Sequence, residues 1–177
     1  MNALIVQGIG ILGMICFIIS YQIKVNKTLF LVQTLGTALF CLQFILLGAW
    51  SGCLNLVMII IRNVMLSKFN KYEWIRWKGW VAVICAACTV ILIFTWAGPL
   101  SLLPFVALIG STIGYWTNNA QKIRLSNLVC ASPAWIIYDI FVGSIGGMLS
   151  ESIAIISILV SIYRYGWKAM GKPDSGF

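Results

Sequence analysis

The spacing of its apolar runs constrains this chain more than any other feature. Seven stretches of 17 to 20 residues, near 4–22, 28–47, 50–67, 79–97, 100–116, 126–142 and 146–163, hold between them only Arg62, Asp139 and Glu151 as charged residues. A helix that crosses a bilayer needs about 20 apolar residues, within a range of roughly 17 to 25, whereas a barrel strand is about half as long and alternates polar with apolar. In lipid a helix also satisfies its own backbone hydrogen bonds. The runs therefore predict an all-α membrane protein of seven transmembrane helices. Composition closes the alternative: with 61% hydrophobic and 9% charged residues, no soluble single domain could cover its own apolar surface.

The basic residues test the span count. Lys24 and Lys27 follow the first run; Lys68, Lys71, Arg76 and Lys78 the third; Lys122 and Arg124 the fifth; Arg164, Lys168 and Lys172 the seventh. The connections at 48–52, 98–99 and 143–147 contain none. Alternate loops lie on opposite faces of the membrane, so the positive-inside rule predicts an outside N-terminus and a cytoplasmic C-terminus in a bacterial inner membrane. The +8 charge is thus a lipid-side feature, and no nucleic-acid partner is expected. Trp74, Trp77, Trp80, Trp116 and Trp167 fall at the inner headgroup level, and Trp50 and Trp96 at the outer, leaving Trp135 as the indole within a span. The segment KYEWIRWK (71–78) reads as an anchored loop, with a lipid-binding patch as the alternative. The first run lacks the basic start and cleavage signal of a secretory leader and is expected to be retained.

The chain has no His and four carboxylate side chains, so the usual general acids, bases and metal ligands are nearly absent. We expect no enzyme, no cofactor and no metal site. Six cysteines sit mostly within apolar runs, where Cys packs as a small hydrophobe; Cys85-Ala-Ala-Cys88 reads the same way, against a redox or metal reading of its spacing. Gly8, Gly10 and Gly13 in the first run, and Gly110 and Gly114 in the fifth, predict close helix contacts.

An internal repeat appears at an offset of 95 residues. Leu47-Gly48-Ala49-Trp50-Ser51-Gly52-Cys53-Leu54-Asn55 aligns with Val142-Gly143-Ser144-Ile145-Gly146-Gly147-Met148-Leu149-Ser150 at two glycines, read as helix breakers, and at the following leucine. Lys27 meets Lys122, and Phe40 meets Trp135. Both copies share one orientation, so they are parallel repeats, and joining two three-helix units in parallel requires an odd helix between them. The expected plan is 3+1+3: repeat one about 4–67, a linker helix about 79–97, repeat two about 100–163 and a cytoplasmic tail 164–177.

The segments LLPFVALIGS, the Trp135 that precedes GSIGG, and the following Glu151 are similar to bacterial inner-membrane proteins of the YgjV type over most of the chain. The topology and repeat more distantly resemble the SWEET and SemiSWEET sugar carriers and the wider PQ-loop group. That resemblance implies that the carriers' binding Trp matches Trp135 and that their Asn in the last span falls at Glu151. The first-half counterparts are Phe40 and Leu56, beside Asn55. The Pro-Gln pair of those carriers is replaced by Tyr21-Gln22 and Trp116-Thr117, and the first two runs contain no Pro.

The candidate substrate site comprises Trp135 and Tyr138, which share a helix face, with Asn55, Ser150 and Glu151 as polar partners. Asp139 and Glu151 each lie about one turn from the glycine hairpin, on the order of 6 Å deep, which makes Asp139 a rim residue and leaves Glu151 between rim and site. Arg62, roughly 18 Å along its run, either snorkels to the inner headgroups or faces the interior as a buried charge, where it could pair with Glu151. Asn118, Asn119 and Gln121 read as a polar loop, with a gate as the alternative. These features suggest a transporter of a small polar solute, sugar- or nucleoside-like, working by alternating access. The alternative is a membrane scaffold or assembly partner that transports nothing.

Overall fold

The structure, a computed structural model, describes residues 3–20, 26–69, 71–117 and 119–165. Among the described residues the chain forms helices and turns, without strands: α1 (Ala3–Ser20), α2 (Asn26–Leu46), α3 (Trp50–Leu66), α4 (Gly79–Phe94), α5 (Leu102–Trp116), α6 (Ala120–Ser126), α7 (Ser132–Val142) and α8 (Ile145–Tyr165). A π-helical turn, Asn127–Ala131, joins α6 to α7 as one continuous span. Lys24, Tyr21-Gln22, Asn118, Trp167 and the tail beyond Tyr165 lie outside the described residues.

By length and composition alone, three helices can cross a membrane: Ala3–Ser20, Pro99–Trp116 and Gln121–Val142. Of the other apolar helices, α2 and α8 have 21 residues and α3 has 17, within the range of roughly 17 to 25 that a bilayer accepts, and α4 has 16. Every span turns large apolar side chains outward, among them Leu4, Leu35, Val57, Phe94, Val106, Phe141 and Ile156. An aqueous protein would bury such residues.

The sixth span starts at Ala120, earlier than the apolar run near 126 suggests. Asn119 causes the extension: its Oδ1 accepts from the backbone N–H groups of Gln121 and Lys122, capping the helix. Lys122 and Arg124 consequently stand on the first turns of α6 rather than in a loop. The π turn ends beside Pro133, which has no N–H to donate, and the ladder there shifts register, with Ser132 N donating to the Asn127 carbonyl.

Only one glycine of each hairpin breaks its helix. Gly48 and Gly143 adopt left-handed φ values of 72° and 78°, a conformation that glycine enters without the Cβ penalty. Gly52 and Gly147 instead lie inside α3 and α8, where a side chain would collide. A Cβ at Gly52 would come within 2.6 Å of the Tyr138 ring, and one at Gly147 within 2.5 Å of the Asp139 carboxyl. Gly10, Gly13, Gly110 and Gly114 also sit at close approaches, whereas Gly8 faces open space.

The spans form a ring. α1 packs on α2 and α8, α2 on α3, α3 on α5, α5 on α6 and α7, and α7 on α8. α4 stays outside this ring, against α3 and α5. It is seated by a cluster of Leu66, Ile84, Cys88, Leu108 and Trp116. Trp116, expected at the inner headgroups, is therefore an interior residue at 6% exposure. Its place at the end of a span matched an interface anchor, but its face of α5 points at α4. Trp50, Trp74, Trp77 and Trp96 are exposed near span ends, and Trp80 Nε1 donates to the Trp74 carbonyl.

Candidate functional site

The ring encloses a cavity of about 480 Å³. Its walls come from α1, α2, α3, α5, α6, α7 and α8, so both halves of the chain contribute. Near the glycine hairpins it is lined by Asp139, Gly147, Ser150 and Glu151, with Phe40, Phe44 and Trp135 as an aromatic side. Toward the basic end it is lined by Arg62, Asn63, Ser111, Tyr115, Arg124 and Asn127.

Local sequence explains the aromatic side. Trp135 and Tyr138 are one turn apart on α7, and Phe40 and Phe44 one turn apart on α2, so each pair shares a face. Phe44 stacks on Trp135 at 6.0 Å and meets Tyr138 edge-on at 5.7 Å, while Trp135 and Tyr138 meet edge-on at 5.9 Å. These separations fall in the favourable range for aromatic pairs. The layer is nearly inaccessible, with Phe44 at 2% and Tyr138 at 3% exposure.

Two polar clasps tie the halves together at the hairpin end. Tyr138 Oη, from α7, shares a hydrogen bond of 2.9 Å with Ser51 Oγ and accepts from Gly52 N at 3.0 Å, both at the start of α3. On the opposite seam, Gln43 Oε1 on α2 accepts from Ser144 Oγ at 3.0 Å, and Gln43 Nε2 donates to Gln7 Oε1 at 3.2 Å. Gln7, on α1, donates to the Gly143 carbonyl at 2.7 Å and accepts from Ile145 N. Interhelical hydrogen bonds of this kind hold helices together where lipid supplies no hydrophobic drive, each contributing on average about 0.6 kcal/mol.

The expected site residues divide. Trp135, Ser150 and Glu151 line the cavity, together with Ser132. Tyr138 is occupied in its clasp, and Asn55 is fully buried with its Nδ2 donating to the Ser51 carbonyl; neither is part of the lining. Arg62 faces the interior at 4% exposure. Its Nη1 donates to Ser111 Oγ at 2.7 Å, its guanidinium lies 4.4 Å from the centre of the Tyr115 ring, and its Nε has no partner. Its hydrogen bonds thus go to α5 and to Asn63 rather than to Glu151.

Asp139 is the clearest correction. It was expected on the rim, yet it is 3% exposed, lines the cavity, and leaves Oδ1 without a hydrogen-bond partner. The side chain turns inward, toward Gly147, which has no Cβ to exclude it. Gln7 and Gln43 went unnoticed as well. Their signal was visible, because each is a lone amide in an otherwise apolar stretch, and polar groups in such places serve as contacts between helices.

Fold and site together define a helical integral membrane protein with a polar, aromatic-walled cavity between two sets of spans. The chain belongs to the Imp-YgjV family, described as bacterial inner membrane protein, whose profile matches residues 4–169. Searches of curated proteins and of solved structures found no match.

Proposed function

We propose that this protein is a carrier that moves a small polar solute across the bacterial inner membrane by alternating access, without a chemical step. The carrying observation is the cavity itself: a space of about 480 Å³ between the two sets of spans, with ionisable side chains buried in its wall and a closed aromatic layer at one end. Buried ionisable groups in a membrane span mark solute or ion pathways by default.

The helix packing supports a 3+1+3 plan. Exchanging the halves at the offset of 95 converts the α1–α8 seam into the α5–α3 seam and leaves α4 as the helix outside the ring. Rocking of one half against the other would then break the clasps at the hairpin end and close the basic end. With basic loops inside, the closed layer faces the outside of the cell. A scaffold would be served by a sealed apolar seam, whereas this seam is polar at the hairpin end and borders a cavity.

A thermal-shift screen of the purified protein against sugars, nucleosides, amino acids, peptides and vitamins tests the reading. A carrier shows a shift for one solute class, lost in Trp135→Ala while the unliganded variant stays folded. No shift with any class, in a protein that melts cooperatively, counts against transport.

A further inference from the structure

The cavity has unlike ends. At the hairpin end Asp139 of α7 and Glu151 of α8 both line the cavity, and the basic side chains of the lining, Arg62 and Arg124, lie toward the other end. Asp139 is buried with an unpartnered carboxyl oxygen, and Arg62 is buried with an unpartnered Nε. Arg62 is held by hydroxyl and amide oxygens rather than by a carboxylate. A buried ion without a counter-ion is strongly unfavourable, and a second charge that supplies the missing partner is correspondingly well bound.

Resting on the carrier reading, we infer that the solute is a short zwitterion, with its ammonium group at Asp139 and Glu151 and its carboxylate at Arg62. Ser111 holds the guanidinium at its level in the ring, and Trp135 with Phe40 supplies an apolar face for the part between the charges. Asp139 lies four residues from Gly143 and Arg62 twelve from Trp50. At 1.5 Å per residue the two levels are on the order of 12 Å apart at the backbone, and roughly 8 Å apart once both side chains lean toward each other. After a hydrogen bond of about 2.8 Å at each end, a gap of roughly 2 to 3 Å remains between the solute's charges, the span of an α-amino acid rather than of a dipeptide. Neutral sugars and nucleosides would leave the buried Arg62 charge unmatched.

Isothermal titration of the purified full chain in detergent decides the point, with L-phenylalanine, its N-acetyl form, its carboxamide, glucose and uridine as probes. The free amino acid is expected to bind, and each capped form to bind roughly tenfold more weakly or worse. In Arg62→Gln the amide loses its disadvantage while the acetylated form keeps it; in Asp139→Asn combined with Glu151→Gln the pattern reverses. Arg62→Lys preserves the wild-type ranking and controls for misfolding. Equal binding of the free and capped amino acid, or binding of glucose or uridine without the amino acid, overturns the zwitterion and leaves the carrier reading standing. Silence from all five probes overturns the zwitterion and counts against the carrier as well.

Discussion

Gln43 on α2 and Tyr138 on α7 occupy equivalent posts, 95 residues apart, and each reaches across a seam to the start of the helix that follows the other half's glycine turn. Gln43 holds Ser144, and Tyr138 holds Ser51 and Gly52. The chemistry of the two clasps differs, an amide in one and a phenol in the other, but their geometry is reciprocal.

Removing the Tyr138 hydroxyl tests the first clasp. Tyr138→Phe keeps the ring against Phe44 and deletes both hydrogen bonds, so we expect a loss of about 0.6 to 1.7 kcal/mol, the range for interhelical bonds in lipid. Ser51→Ala added to Tyr138→Phe should cost less than the sum of the two single changes, measured by unfolding in detergent micelles as a double-mutant cycle. Strict additivity would remove the Tyr138–Ser51 bond from the account.

Glycine substitutions should rank by what a new Cβ meets. At Gly146 it would strike the backbone of Gly10, which cannot rotate away, so Gly146→Ala should destabilise by about 1 to 3 kcal/mol. Gly8→Ala adds a methyl group into open space and should be neutral or slightly stabilising. Melting temperatures of the two variants, compared with the native chain, check the order.

Much of this fold was legible beforehand because helix length follows the apolar runs: the runs located the seven long helices, and glycine punctuation located both hairpins. Radial direction was harder. A residue such as Arg62, Asp139 or Trp116 can be assigned a depth by counting at 1.5 Å per residue, but the face it turns to depends on which neighbour packs there. Arg62 turned inward because Ser111 and Tyr115 of α5 receive it, and Trp116 because α4 covers that face. Trp135 and Glu151 were recognisable as unusual choices within spans, whereas Asn55 and Tyr138 proved to be bonded into the wall.

Arg62 separates function from folding. Its hydroxyl partners have alternatives, since Ser111 and Thr112 both donate to the Leu108 carbonyl. Replacing a buried ion by an apolar side chain of similar length is often neutral or stabilising, so Arg62→Met should melt at or above the native temperature while losing solute binding. A variant that fails to fold would make Arg62 structural instead.

The orientation proposed from the basic loops can be measured directly. A fluorescent protein that matures only in the cytoplasm, fused after Phe177, should fluoresce, and an alkaline phosphatase active only outside should stay silent at the same position. The opposite pattern would put the closed aromatic layer on the cytoplasmic side.

Transport itself is tested most directly by counterflow. Proteoliposomes loaded with an excess of the unlabelled solute identified by titration are diluted into a trace of the same solute carrying a radiolabel. An alternating-access carrier exchanges one for the other, so label accumulates transiently inside, and Trp135→Ala abolishes the overshoot. Binding in detergent with no accumulation of label in sealed, correctly inserted vesicles would contradict the account.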